Sequence, residues 1–346
     1  MRRLMVLAMS IAANFASTAH AAPGDDVYAR PGLIATARDG AKLNLVCMGR
    51  GSPAVIFESG FLDWAPAWAV VQPRIAQFTR ACSYDRTGSG FSGPTVGPVT
   101  LERTATELRD VLDSSGVQGP YILVGNASGG NHARAFADLF PERAAGLIMV
   151  EADASDVDTP ENRKSDDDGI LGFVPLATAC RNEVAAGNAD AELPADPSSP
   201  GPEPKCATLF FRGLPDPMWS PTLNAKLLDL GGHNVAMWDA AVSEASLIPA
   251  GEIWLQQHRR TLGNTPVIVL STGNHGVHFL DKPARPTIEH LKYEYDRAVA
   301  QSRWLTLSTD SKQIFVRGSG EYVEFDRPDV VVDAVREIYE KTKRPR

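Results

Sequence analysis

The sequence lacks several features that would point to particular classes of protein. Beyond its N-terminal segment it has no run of about 20 apolar residues, the length that a membrane-spanning helix needs. It has no basic block, and its net charge of −8 argues against nucleic acid or an anionic membrane as a partner. Its four cysteines include no Cys-x-x-Cys pair that would bind metal or carry redox chemistry. We therefore expect no nucleic-acid partner, no membrane insertion, no metal and no other cofactor.

The N-terminal segment has the three parts of a secretory signal. A basic start at Met1–Arg3 precedes an apolar stretch from Leu4 to about Ala16, and Ala19-His20-Ala21 forms a small-x-small cleavage site. We predict a signal peptide over residues 1–21 and a periplasmic or secreted protein.

The cysteines fit an oxidising compartment, in which disulfides form and persist. Four cysteines allow three pairings. Proximity along the chain favours Cys47 with Cys82 and Cys180 with Cys206. Free buried thiols are the alternative, which export makes less favourable.

Buried strands alternating with amphipathic helices predict an α/β fold. The predicted strands are Lys42–Cys47, Ala54–Glu58, Arg80–Tyr84, Tyr121–Gly125, Leu147–Glu151, Val267–Ser271 and Gln313–Arg317. The predicted helices are Leu101–Leu112, Ser128–Phe140, Asn224–Leu230 and a last helix from Asp329 to about Lys341. Because most of these strands are continuous apolar runs, we expect a mainly parallel sheet flanked by helices on both faces.

The series of strands is interrupted by a long segment. We predict a core in two parts, residues 22–153 and 266–346, with a lid inserted over residues 154–265. This segment is rich in large apolar residues: Leu209, Phe210, Phe211, Trp219, Met237, Trp238 and Trp254. They indicate a small hydrophobic ligand beneath the lid, or else they only pack the lid onto the sheet.

Four short motifs follow predicted strands in a familiar order. They are Glu58–Phe61 (ESGF), Asp85–Ser92 (DRTGSGFS), Gly125–Gly130 (GNASGG) and Gly318–Tyr322 (GSGEY). Together they resemble the α/β-hydrolase superfamily. This resemblance implies the α/β-hydrolase fold and the activity class of carboxylic ester or lactone hydrolases. It also implies that the backbone N–H groups of Phe61 and Ser128 form an oxyanion hole.

The chain departs from the superfamily pattern at two catalytic positions. The nucleophile position falls on Ala127, and the histidine position falls on Glu321. The acid position is filled by Glu151, with Asp153 as a second candidate. Since alanine carries no nucleophilic atom, ordinary serine-triad hydrolysis is not available to these residues.

Three hypotheses stay open at this point. A rearranged hydrolase would use Ser128 with a histidine from elsewhere, such as His275, His278 or His132. A non-hydrolytic acid–base enzyme would use Glu151 and Glu321, whose mutual repulsion would raise one pKa. A catalytically silent ligand-binding protein would keep the pocket, with Glu321 paired to an arginine.

Overall fold

The computed structural model describes residues 24–154, 159–188, 190, 205–273 and 288–343, and these form one mixed sheet covered on both faces by helices. The strands are β1 Leu33–Thr36, β2 Lys42–Met48, β3 Ala54–Glu58, β4 Ala81–Asp85, β5 Tyr121–Asn126, β6 Ala144–Val150, β7 Val267–Ser271 and β8 Ser311–Phe315. Their order across the sheet is β1-β2-β4-β3-β5-β6-β7-β8. The pairs β1–β2 and β2–β4 are antiparallel, and the other neighbouring pairs are parallel.

The central strands form because their apolar runs are buried on both faces. Every residue of β3, β4, β5 and β7 is buried. The edge strand β8 is only half-buried, and it lies two residues earlier than the strand predicted at Gln313–Arg317. The predicted fold class, a mainly parallel sheet flanked by helices, is confirmed.

Helices complete the two faces of the sheet. Their bounds are α1 Gln72–Ile75, α2 Leu101–Ser114, α3 Ser128–Leu139, α4 Pro160–Ala185, α5 Pro221–His233, α6 Val235–His258, α7 Ile288–Ser302, α8 Val323–Asp326 and α9 Pro328–Lys343. Residues of α2 and α3 belong to the core cluster on one face, and residues of α1 and α9 belong to the cluster on the other. None of the helices in the described ranges is long and apolar enough to cross a membrane.

The segment between β6 and β7 contains α4, α5 and α6. The disulfide Cys180–Cys206 joins the C-terminal part of α4 to the residues that precede α5. The second disulfide, Cys47–Cys82, joins directly opposed residues of β2 and β4. Both predicted cysteine pairings are therefore confirmed, whereas the predicted signal peptide lies outside the described residues.

Candidate functional site

The turn between β5 and α3 has the backbone geometry of a nucleophile elbow, centred on Ala127. Ala127 has φ 47° and ψ −127°, a conformation that side-chain-bearing residues rarely adopt. A Cβ on Gly125 would lie 2.3 Å from the Gly129 carbonyl oxygen, and a Cβ on Gly129 would lie 2.3 Å from the Glu58 carbonyl oxygen. Both positions therefore require glycine. The strained position falls on Ala127 and not on Ser128.

Ser128 begins α3 and lines a small cavity. The cavity has a volume of about 20 Å³, and its lining includes Ser128, Asn131, His132, Glu244 and Glu252. The Ser128 Oγ is buried and has no hydrogen-bond partner among the described residues. A cavity of this size accommodates about one water molecule.

The loop after β3 packs against the elbow. A Cβ on Gly60 would lie 3.4 Å from the Ala127 Cβ and 3.3 Å from Oδ2 of Asp63. Gly60 therefore faces Ala127 directly, and the Asp63 carboxylate lies beside Gly60. Asp63 is 4% exposed. No sequence motif singled out this residue. In the sequence, Asp63 is an isolated acidic residue between Leu62 and Trp64.

Glu321 lies next to the elbow, on the loop that follows β8. The Asn126 side-chain amide donates to the Glu321 backbone carbonyl at 3.0 Å and to the Val150 carbonyl at 3.2 Å. The Glu321 residue is buried. Glu321, predicted at the superfamily's histidine position, is therefore bonded through its backbone to the residue that precedes Ala127.

A further carboxyl group is buried close to this loop. Glu324 in α8 is 0% exposed, and neither of its carboxyl oxygens has a hydrogen-bond partner among the described residues. Burial raises the pKa of Glu324 well above its usual range, and the charges of Asp63 and Asp326 raise it further. Burial therefore favours the protonated form of the Glu324 carboxyl group.

Glu151 is held by a buried arginine. Its Oε1 accepts from Arg297 Nε at 3.0 Å, and its Oε2 accepts from the Thr272 N–H at 2.5 Å. Arg297 Nη2 also donates to Asp153 Oδ1 at 3.2 Å. Burial opposes the charge of Arg297, but Asp153 and Glu151 outweigh it and raise the pKa of the guanidinium. Both candidate acids therefore share one cation.

The candidate histidines fall in different regions. His275 and His278 lie outside the described residues. His132, on α3, shares a hydrogen bond of 2.8 Å between its Nδ1 and Thr104 Oγ1, and its Nε2 lies 3.3 Å from Glu244 Oε1. Burial and the nearby Arg86 charge lower the pKa of His132, so the ring is neutral at pH 7.

The DRTGSGFS motif supports the loop around Gly60. Asp85 accepts from the Ala65 N–H at 3.1 Å and from the Phe91 N–H at 2.9 Å. Arg86 donates from Nη1 to the Ser59 carbonyl and from Nη2 to the Gly60 carbonyl, at 2.7 Å and 2.8 Å. The motif therefore fixes the position of the backbone opposite the elbow.

Aromatic contacts join the segment between β6 and β7 to the core. The ring pairs are Phe61–Phe173, Trp64–Phe211 and Trp219–Phe325, with centroids 5.4, 4.3 and 5.9 Å apart. Phe211, Trp219 and Trp64 are all at most 5% exposed. These aromatic residues pack the segment onto the loops beside the elbow, and a role in ligand binding stays a prediction.

Part of this sequence is similar to known proteins. Residues 53–175 match the family described as "alpha/beta hydrolase fold". A 2-hydroxy-6-oxo-2,4-heptadienoate hydrolase of Pseudomonas putida is 32% identical over 117 residues, which are 33% of this chain and 42% of that protein. The chain spans less than half the length of the curated relatives that it matches.

Two solved structures are similar over nearly their whole length. A thermophilic esterase from Thermogutta terrifontis, solved with malate bound, has a TM-score of 0.54 at 20% identity, covering 90% of this chain and 99% of that chain. The enol-lactonase from Burkholderia xenovorans LB400 has a TM-score of 0.56 at 16% identity, covering 89% and 100%. At these identities the similarity establishes the fold.

Proposed function

We propose that this chain, which belongs to the α/β-hydrolase superfamily, hydrolyses small hydrophobic carboxylic esters or lactones. The reaction proceeds without a covalent intermediate. A water molecule takes the place of the missing serine hydroxyl above Ala127, and the Glu321 carboxylate activates it. The observation that carries the proposal is the elbow backbone at Ala127, which keeps its strained geometry beside buried carboxyl groups. An elbow without function would have no reason to keep this strain.

The reaction needs one base and two hydrogen-bond donors. Glu321 takes a proton from water while the water oxygen forms a bond to the acyl carbon. The carbonyl oxygen becomes an oxyanion, which the N–H groups of Phe61 and Ser128 stabilise. When the bond to the alkoxide oxygen breaks, the protonated Glu321 returns its proton to that oxygen. The products are an alcohol and a carboxylic acid, and a lactone yields both in one molecule.

Glu321 is a better candidate base than Glu151. The two carboxyl oxygens of Glu151 accept hydrogen bonds from Arg297 and Thr272, which stabilise its charge and make it a weaker base. Glu321 has the superfamily's histidine position, and Asp63 brings a second negative charge to the elbow.

The surroundings of the elbow support the proposed substrate class. Aromatic residues of the core loops contact aromatic residues of the segment between β6 and β7, next to the loop that carries Gly60. Such a lining favours a small apolar acyl or alcohol group. We also propose that the segment over residues 154–265 acts as a lid on this pocket. Its aromatic contacts with the core loops support that role.

The two disulfides support a working place outside the cytoplasm, since such bonds persist in oxidising compartments. We propose a periplasmic or secreted enzyme. Fractionation of cells that express the full-length chain tests this, and an uncleaved protein in the cytoplasmic fraction would contradict it.

The decisive experiment compares Glu321→Gln and Ser128→Ala with the parent protein on short-chain aryl esters and lactones. We expect Glu321→Gln to lower kcat by roughly 100-fold, because general-base catalysis supplies about that factor. Ser128→Ala should keep kcat within about threefold, since the proposal uses only its backbone N–H. The parent should show no pre-steady-state burst and no labelling by a fluorophosphonate probe.

Each hypothesis predicts a different result in this experiment. Labelling that disappears in Ser128→Ala would establish the displaced serine instead. A parent that binds esters without hydrolysing them would establish a silent binding protein. Product formation by elimination or isomerisation, lost in Glu321→Gln, would establish a non-hydrolytic acid–base enzyme.

A further inference from the structure

Arg86 fixes the direction of one proposed oxyanion donor. Its Nη2 donates to the Gly60 carbonyl at 2.8 Å, and its Nη1 donates to the Ser59 carbonyl at 2.7 Å. In a planar trans peptide the carbonyl of one residue and the N–H of the next point in opposite directions. The Arg86 bond to the Gly60 carbonyl therefore aims the Phe61 N–H away from the guanidinium.

Glu244 also binds Arg86. It belongs to α6, and its Oε1 lies 3.2 Å from Arg86 Nη2. Both side chains are buried, at 4% and 10% exposed. A planar guanidinium needs acceptors at fixed angles, so this carboxylate helps to determine which way the guanidinium N–H groups point.

The same carboxylate also contacts the helix that carries the second donor. Glu244 Oε1 lies 3.3 Å from His132 Nε2, and the other ring nitrogen of His132 lies 2.8 Å from Thr104 Oγ1. His132 lies one turn after Ser128 on α3. One side chain of α6 therefore contacts Arg86, which holds the loop carrying Phe61, and His132, which lies on the helix beginning at Ser128.

We propose that Glu244 is a positioning residue that sets the spacing of the two oxyanion donors, so that the oxyanion hole is complete only when α6 is docked. This inference rests on the proposed hydrolysis for its kinetic consequence. The segment between β6 and β7 then does more than cover the pocket, because its docking assembles the site. A ligand that displaced α6 would also switch the site off.

The test uses Glu244→Gln, Glu244→Asp and the matched control Glu252→Gln. Glu252 is a second buried carboxylate on α6, about two turns further along, and it lines the same cavity as Glu244. Two measurements are made on the full-length protein: kcat and KM for an aryl ester, and amide hydrogen exchange in peptides that cover residues 59–62 and 127–130.

We expect Glu244→Gln to lower kcat about tenfold while KM changes less than about twofold, because the donors act mainly in the transition state. Exchange in both peptides should rise at least about fivefold, and Glu244→Asp, which keeps the charge, should give intermediate values. Glu252→Gln should leave both measurements near the parent values. If Glu244→Gln does not fold, the same two measurements on Glu244→Asp test the inference.

Equal exchange in Glu244→Gln, Glu252→Gln and the parent would overturn the inference. So would a fall in thermal stability of Glu244→Gln with no change in kcat or in either peptide. A parent without esterase activity would remove the proposed function, and the exchange measurement would still decide whether Glu244 orders both donors.

Discussion

The side-chain amide of Asn126 donates to the backbone carbonyl of Glu321, with 3.0 Å between nitrogen and oxygen. Asn126 directly precedes Ala127, so this bond ties the loop after β8 to the elbow. The bond uses the backbone of Glu321 and therefore does not depend on the side chain at that position. The structure therefore retains a link between the positions predicted for the superfamily's nucleophile and histidine.

This retention leads to the first prediction. Ala127→Ser combined with Glu321→His should create covalent esterase activity, because each new side chain supplies what the other needs. We expect the double variant to exceed either single variant by roughly 100-fold in kcat/KM for a short-chain aryl ester. A fluorophosphonate probe should also label the double variant, only at the serine introduced in place of Ala127. Mass spectrometry of the tryptic peptide would locate the label.

The new triad should stay below the rates of ordinary serine esterases. Glu151, predicted at the superfamily's acid position, already accepts hydrogen bonds from Arg297 and Thr272. A well-folded double variant with neither activity nor labelling would mean that the pocket geometry itself has changed. A parent as active as the double variant would contradict our assignment of Ala127 and Glu321.

The second prediction concerns the buried pair of Glu151 and Arg297. Arg297→Met should lower the free energy of unfolding by about 3 to 5 kcal/mol, because it leaves a buried carboxylate without its cation. Arg297→Met combined with Glu151→Gln should recover part of that loss. Denaturant unfolding of the three variants measures both effects.

The matched control is Lys312→Met. Lys312 pairs with Glu337 on the surface, where both side chains are about one-third exposed or more, and such pairs contribute about 0 to 1 kcal/mol. If Arg297→Met were no more destabilising than this control, the Glu151 carboxylate would not depend on Arg297.

The central strands were predictable because a strand buried on both faces needs a continuous apolar run. Tyr121–Asn126 is buried throughout, and its apolar run matches the predicted strand to within one residue. Leu33–Thr36 was not predicted, because only one of its four residues is buried and its pairing with β2 alone makes it a strand. The local sequence pattern was therefore enough to predict the buried central strands. It did not predict the edge strand Leu33–Thr36.

The site was predictable only where it consists of local motifs. Ala127 and Glu321 were assigned because each lies in a short segment that follows a predicted strand, and their catalytic positions stay predictions. The contacts that govern their surroundings join distant parts of the chain. Arg86 and Glu244 are 158 residues apart, and Glu151 and Arg297 are 146 residues apart. Single charged residues on helices carry no local signal of such partners.

The last prediction concerns the pH dependence of stability and the buried carboxyl group of Glu58. Burial raises the pKa of Glu58 from 4.5 to about 7, although the Arg86 charge and the hydrogen bond from Tyr84 lower it in part. The folded protein therefore keeps this proton up to about pH 7, whereas the unfolded chain releases it near pH 4.5. Between these values the folded state binds more protons, so the free energy of unfolding falls as pH rises.

Glu58→Gln isolates this contribution, because glutamine can still accept the hydrogen bond from Tyr84 and does not titrate. Between about pH 4.5 and 7.5 the parent should lose on the order of 3 kcal/mol more stability than the variant, at about 1.4 kcal/mol for each unit of pKa difference. Some dependence should remain in the variant, since burial also raises the pKa of Asp85, to about 6. Urea unfolding of both proteins at closely spaced pH values measures the difference. Parallel curves for the two proteins would mean that Glu58 is ionised in the folded state, and its charge would then have to be balanced by Arg86.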